Sequence, residues 1–446
     1  VFEGSSADTC LLNFCQLKYG RMPSVYYNTR RISGGTVTTV NAHPIITNCI
    51  INNTNYGIYA FQASNPVIQN NEISNTLYTP VALSVSADPT FSGNSFVNTT
   101  WTALGIIGEE LGFDGTVKLR NVAGYDSIAY VLLEDLTINS GTYVNVEAGV
   151  VLKMNRHTDI FVNGGFQAIG TATDTIIFTS IRDDNYGNPK DTEDDGDATS
   201  PSAGNWGNIR YQATSDDAYD SLAYCLLLYG GYNASGIVTF SDAGGEISHS
   251  LISDSYYYGL RCEGIASPVC TTDVEIKNCR WDPIAMSLKS NPVFSFSGMK
   301  IKSNGNGSNG ISILEGTLSS DATLIKRDVR GIYNIAYIID RLTIASDATL
   351  TITPGVVIKF YNYRSYISVD GALVADAPQD EKIVFTSLKD DSKGGDTNDD
   401  GNASGPDKGD WWCIVFNDSE RDTAGRLVLR GRSLGRRRSR ARRGGP

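Results

Sequence analysis

Apolar residues in this chain alternate with polar ones in short bursts of period two. Tyr143-Val144-Asn145-Val146 and Thr349-Leu350-Thr351-Ile352-Thr353 are examples, and such alternation predicts half-buried strands. The bursts recur at a fixed spacing. Pro44, Pro66 and Pro89 stand 22 and 23 residues apart, followed by IITNCIINNT (45–54), VIQNNEISNT (67–76) and TFSGNSFVNT (90–99). In register, Ile51, Ile73 and Phe96 form an apolar column, Asn53, Asn75 and Asn98 an amide column, and Thr54, Thr76 and Thr99 a hydroxyl column. The pattern returns in ISHSLISDS (247–255), VEIKNC (274–279) and FSGMKIKSN (296–304). A single coil of this length cannot bury its apolar side, but stacked coils can. Their strands then pair in parallel about 4.8 Å apart. Asn suits the turns because it tolerates left-handed backbone, and stacked amides can bond along a ladder. The L-x-x-L-x-L frame of leucine-rich repeats is missing. The predicted fold is all-β, a right-handed, single-stranded parallel β-helix (β-solenoid) with coils of about 22 residues.

A longer period overlies the short one. TINSGTYVNVEAGVVLKM (137–154) matches TIASDATLTITPGVVIKF (343–360) at an offset of 206, and IAY (128, 335) and FTS (178, 385) recur at 207. FSG recurs at 91 and 296. VFEGSSADTCLLNFCQLKYG (1–20) resembles RYQATSDDAYDSLAYCLLLYGG (210–231), and VFND (415–418) opens the same unit again. Residues 1–420 are therefore expected to form one continuous β-helix: two units of about 206 residues and the start of a third. The chain begins and ends in mid-unit and starts at Val1 rather than Met. That predicts a fragment of a longer repeat protein, stacked on further units of the same chain and exposing strand edges at an uncapped end. From Arg421 the pattern stops. Residues 421–446 hold ten Arg and one Asp and are expected to be disordered. The abrupt break favours a frameshifted reading over a native basic arm that grips a polyanion.

Charge narrows the partners. The formal charge is −12 overall and +9 on residues 421–446, which leaves −21 on residues 1–420. So acidic a body argues against nucleic acid. No apolar run approaches the ~20 residues of a membrane span. The eight cysteines include no CxxC pair, which argues against zinc. They read as buried apolar thiols, with Cys262 able to bridge Cys270 or Cys279 if the chain is exported.

Two acidic stretches interrupt the strands at the same place in each unit: SIRDDNYGNPKDTEDDGDATSPSAGNWG (180–207) and SLKDDSKGGDTNDDGNASGPDKGDWW (387–412). Asp396, Asn398, Asp400 and Gly401 have the D-x-N-x-D-G frame, and Asp191, Glu193, Asp195 and Gly196 have D-x-E-x-D-G. EF-hand-type calcium loops place oxygen ligands at positions 1, 3 and 5, a Gly at 6 and a main-chain carbonyl at 7. Position 7 is Asp197 or Asn402. Position 12 is Asp407 in copy two but Ser202 in copy one, and the pairs Asp183-Asp184 and Asp390-Asp391 lie just upstream as further ligands. Crowded carboxylates repel, and a hard divalent cation removes that cost. Ca2+ is the expected cofactor, and Asp407 makes copy two the expected tighter site. No flanking helices are predicted, so each stretch is a loop inserted in the β-helix.

GVVIKF…FTSLKDDSKGGDTNDDGNASGP…GDWW resembles bacterial secreted or surface proteins with right-handed parallel β-helix repeats, the broad group sharing the pectate-lyase-like fold. Within it, the subgroup with an Asp-rich loop followed by Gly-x-Trp is the most similar. The likeness spans roughly residues 1–420. It implies the fold and export to the medium or cell surface. It implies little about activity, since lyases, hydrolases, adhesins and passive stalks share this fold.

A polysaccharide lyase or glycoside hydrolase is the alternative to a structural or adhesive role. Asp183, Asp184, Asp390 and Asp391, with Arg182 and Lys389 beside them, would be its acids and bases. Against it, the acidic pairs recur with the repeat, whereas a single active site more often breaks symmetry. The Gly-His-Gly and Arg-Ile-Lys signatures of polygalacturonase-like enzymes are absent, and His43, His157 and His249 sit in dissimilar contexts. No catalytic residue is assigned. A polysaccharide or cell-surface glycan is the expected partner. Trp206 and Trp411 are expected to pack each loop on its coil, Tyr258 to stack like Tyr56, and Tyr257 to face outward as a sugar contact.

Overall fold

The computed structural model describes residues 2–3, 10–20, 22–27, 30–295, 299–301 and 307–417. The Arg-rich segment 421–446 and the second FSG, at 296–298, lie outside them. Apart from a hairpin of Met22–Tyr27 with Arg30–Gly34, the named strands pair in parallel with strands one coil earlier, one coil later or both. Ile58–Phe61, Val81–Leu83, Leu104–Ile106, Tyr130–Leu132, Val151–Met154 and Ile176–Ser180 lie in a twelve-stranded sheet. Ile160–Val162, Ile209–Tyr211, Gly236–Ser241 and Tyr258–Glu263 belong to an eleven-stranded sheet. A third wall is built from shorter sheets, such as the seven-stranded one holding Tyr143–Val146 and Gly165–Ile169. No described helix is long and apolar enough to cross a membrane.

The columns read from sequence are the registers of the sheets. Ile73 pairs with Ile51 on one side and Phe96 on the other, and Thr76 with Thr54. Ile51 and Ile73 are fully buried. Asn53, Asn75 and Asn98 adopt left-handed backbone, with φ of 52°, 53° and 52°. The amide ladder, however, runs in the neighbouring column. Asn94 Oδ1 accepts from the N–H (3.0 Å) and Nδ2 (3.1 Å) of Asn71, whose own Oδ1 accepts from Cys49 N–H at 2.9 Å. Asn71 and Asn94 are buried, whereas Asn53, Asn75 and Asn98 are exposed and compete with water for their hydrogen bonds.

All eight cysteines are free thiols, and Cys49, Cys225, Cys262, Cys270 and Cys279 are buried. Cys262 bridges neither Cys270 nor Cys279. Each occupies a core position inside the coil, where burial pushes the Cys270 thiol up to about 12.

The 206-residue repeat is not a whole number of coils. Tyr130–Leu132 lies in the twelve-stranded sheet, but its counterpart Tyr337–Ile339 lies in the eleven-stranded one. With three walls per coil, the second unit is turned by one wall relative to the first. The two acidic inserts consequently leave from adjoining walls, after Ile176–Ser180 and after Val384–Ser387.

Candidate functional site: two acidic straps

Each insert runs back over coils already laid down. In copy one, Thr192 O accepts from Thr102 N–H at 2.9 Å, and a Cβ on Gly187 would stand 3.1 Å from Ala129 Cβ. In copy two, Thr397 O accepts from Asn309 N–H at 2.7 Å, and a Cβ on Gly394 would stand 2.9 Å from Ala336 Cβ. Thr192 and Thr397 are both fully buried under their straps. The first strap lies over a second apolar cluster, on the outer face of its wall, that includes Ala103, Val131 and Ile181.

The predicted ligands separate into those that meet and those that do not. Asp184, Asp191 and Asp195 offer carboxylate oxygens within 4.8 Å of one another, and so do Asp391, Asp396 and Asp400. The two loops are built alike. Asp396 accepts from the N–H groups of Asp400 (3.2 Å) and Gly401 (2.8 Å), and Asp191 from those of Asp195 (3.2 Å) and Gly196 (2.8 Å). Asp194 and Asp399 are left-handed, as are Gly196 and Gly401. Burial and the charge of Asp191 hold the Asp184 carboxyl above the usual carboxylate range. Burial and Asp396 do the same to Asp391. In copy two, Asp391 Oδ1, Asn398 Oδ1 and Asp400 Oδ1 are buried with no hydrogen-bond partner. At the same frame position in copy one, Glu193 accepts from Thr199 Oγ1 at 3.3 Å.

Asp183 and Asp390 stand apart from these triads and close the turn after each strand. Asp183 accepts from Thr179 Oγ1 (2.5 Å) and Asn185 Nδ2 (2.8 Å), and Asp390 from Thr386 Oγ1 (2.6 Å) and Ser392 Oγ (2.6 Å). Asp407 lies in neither triad. Its Oδ1 accepts from Lys408 N–H at 2.7 Å, and its own N–H donates to Asp410. The position-12 ground for ranking copy two above copy one is therefore missing. Asp197 and Asn402 are exposed directly after the left-handed glycines.

Sequence reasoning passed over Lys153 and Lys359. Both side chains are completely buried beneath the straps. Lys153 Nζ donates to Lys190 O at 2.6 Å and Lys359 Nζ to Gly395 O at 2.8 Å. Burial pushes both ammonium groups down to about 8, against the pull of Asp184 and Asp183 on one and Asp391 and Asp390 on the other. A signal was present. Each lysine falls at the same place in GVVLKM or GVVIKF, an otherwise apolar run, and a charge repeated at a core position needs a partner.

The tryptophans pack as expected. Trp206 is fully buried and donates Nε1–H to Leu228 O at 2.7 Å, while Trp411 stacks on Phe360 with centroids 4.2 Å apart. Trp412 is 71% exposed. Trp206→Ala is expected to cost about 3–5 kcal/mol and Trp412→Ala well under 1 kcal/mol, as read by urea unfolding. Tyr258 is buried, and Tyr56 stacks on Tyr78 at 5.0 Å. Tyr257 is half-buried and packs on Trp281, itself 49% exposed, at 5.1 Å. His249 occupies a turn, left-handed and stacked on Tyr224.

Residues 5–179 match the family described as right handed beta helix region. No curated protein and no solved structure matches the chain. That match and the strand order agree: the chain is a right-handed parallel β-helix repeat protein.

Proposed function

We propose that this is a calcium-fastened, structural or adhesive β-helix of an exported bacterial protein that holds glycans. The observation that carries the calcium reading is the set of three buried, unpartnered oxygens on Asp391, Asn398 and Asp400, two of them in a carboxylate triad. Unpaired buried acceptors are costly, and an oxygen-rich, anionic pocket suits a hard cation. Asp396, Asp391, Asp400 and Asn398 would hold the ion in copy two, and Asp184, Asp191, Asp195 and Glu193 in copy one. The ion would neutralise the carboxylates and tie each strap to the coils below it. Two like sites on adjoining walls suit a fastening better than a single catalytic centre. The extracellular setting would supply calcium at the millimolar level that modest sites need.

The test is a panel of acidic and neutral polysaccharides presented to the protein with calcium present. Retention of at least one glycan without cleavage is the expected result. Release of unsaturated or reducing ends would replace this reading with a polysaccharide lyase or hydrolase.

A further inference from the structure

Where the first strap ends, a polar groove of about 490 Å³ opens over the coils. Its lining includes Arg156, Arg182, the stacked pair His157 and Tyr232 (centroids 3.8 Å apart), Tyr256 and Tyr257. The strap shapes it. Asn205 O accepts from His157 N–H at 2.9 Å, and Gly204 lies so close that a Cβ there would sit 2.8 Å from Tyr256 Cβ. Tyr232 is 41% exposed, so part of an aromatic ring is open to a ligand.

The groove keeps cations without anions. In this acidic chain Arg120, Arg210, Arg261, Arg330 and Arg341 each pair with a carboxylate. Among the described residues, Arg156 and Arg182 form no ion pair, a state shared by Arg280, which lies over Tyr256, and by Arg327 and Arg364 elsewhere. Arg156 Nε is directed at His157 Nε2, 3.4 Å away. Arg280, behind the groove, stacks over the Tyr256 ring at 4.6 Å.

The second unit shows the same corner with its charge closed. Lys389 stands where Arg182 does, and Asp410 where Asn205 does. Asp410 Oδ2 accepts from Ser387 Oγ (2.7 Å) and Asp407 N–H (2.9 Å), and its Oδ1 pairs with Lys389 Nζ at 3.0 Å. Asn205 Oδ1 makes the two matching bonds, to Ser180 Oγ (3.0 Å) and Ser202 N–H (2.9 Å). Its other atom is an amide nitrogen, which donates to Ser202 Oγ at 3.1 Å and cannot neutralise a cation. A single carboxylate-to-amide difference therefore leaves Arg182 without the close ion pair that Lys389 makes, with only the longer-range attraction of Glu193.

We propose that this groove binds a sugar bearing a carboxylate or sulfate group. Arg182 and Arg156 take the anion through charge-assisted hydrogen bonds, and the Tyr232 and Tyr257 rings take the apolar face of the sugar. The inference rests on the glycan-binding reading above and adds the site and the charge of the ligand.

The test uses the whole chain with calcium present, titrated calorimetrically with three probes: a hyaluronan hexasaccharide (carboxylate), a chondroitin sulfate hexasaccharide (carboxylate and sulfate) and uncharged maltohexaose. At least one anionic probe is expected to bind roughly tenfold or more tightly than maltohexaose, and to weaken as salt rises. The hyaluronan probe separates carboxylate from sulfate recognition. Asn205→Asp should copy the Lys389–Asp410 pairing and lower that affinity roughly tenfold, with melting unchanged. Arg182→Gln should do the same. Unchanged affinity in Asn205→Asp and Arg182→Gln would overturn the proposal, as would equal binding of maltohexaose. If neither anionic probe binds, this inference falls, and the glycan reading falls with it only if the wider panel is also silent.

Discussion

Calcium is expected to raise the thermal stability of this protein, and the rise is expected to disappear only when both Asp triads are dismantled. A ligand that binds the folded loop alone adds RT ln(1 + [L]/Kd), about 2.7 kcal/mol per site at a hundredfold excess over Kd. In the unfolded chain the triad carboxylates are dispersed and have little hold on the ion. Folded, Asp391, Asp396 and Asp400 come within 4.8 Å of one another, as do Asp184, Asp191 and Asp195. Copy two is expected to contribute the larger share. This order no longer rests on Asp407, which lies outside the triad, but on the three buried oxygens that lack partners in copy two. In copy one Glu193 has spent an oxygen on Thr199. The measurement is calorimetric melting in calcium and in chelator for Asp396→Ala with Asp400→Ala, for Asp191→Ala with Asp195→Ala, and for both together. A calcium shift that survives all four substitutions would remove the metal from the account. A larger loss from the copy-one variant would reverse the order.

Replacing Lys153 or Lys359 by Met is expected to destabilise the calcium-free protein and to enlarge the calcium effect. Each ammonium group is buried under a strap and holds a strap carbonyl, Lys190 O or Gly395 O. Its charge offsets the neighbouring carboxylates when no metal does so. Met removes the bond to Lys190 O or Gly395 O and leaves that strap carbonyl without its donor, which is expected to cost about 1–3 kcal/mol. Calcium would replace the lost positive charge and meet less repulsion, so the variant is expected to bind it more tightly. The pH dependence has a definite sign. With folded values of about 8 against an ordinary 10.5, the unfolded chain holds more protons on these lysines between about pH 8 and 10.5. Stability in chelator rises with pH across that window, and the double Met variant flattens the rise. A Met variant as stable as the parent in chelator would show that the lysines do not fasten the straps, and one with a smaller calcium shift that they do not repel the ion.

The coil was legible because its physics is local and repeated. A period near 22 with one apolar column leaves few ways to bury that column, and the observed registers put Ile51, Ile73 and Phe96 in line. The turn asparagines were legible for the same reason, since left-handed backbone is a property of the residue itself. Which amides form a ladder was not legible. That depends on which Asn is shielded from water, and the buried pair is Asn71 and Asn94 rather than the more regular column. The hairpin of Met22–Tyr27 with Arg30–Gly34 was missed because it interrupts the period and belongs to no column.

The acidic loops divide along the same line. The residue types and the D-x-x-x-D-G spacing bring Asp191 with Asp195, and Asp396 with Asp400, into one turn, because neighbours four apart in a tight loop have little freedom to separate. Membership of the upstream pairs could not be read from order along the chain. Asp184 and Asp391 enter the triads, while Asp183 and Asp390 turn to the hydroxyls of Thr179 and Thr386. Both pairs lie in turns, where no fixed alternation assigns a direction to either member, and packing chose which one faces the triad. Sequence alone settled the coil, the columns and the position of each insert, since these follow from side-chain chemistry repeated at short range. Tertiary structure decided that the inserts lie back as straps over buried lysines. It also decided that the long repeat steps round by one wall, and that Arg182 is left open where Lys389 is closed. Those outcomes depend on which residues meet across coils, and a linear period carries no record of that.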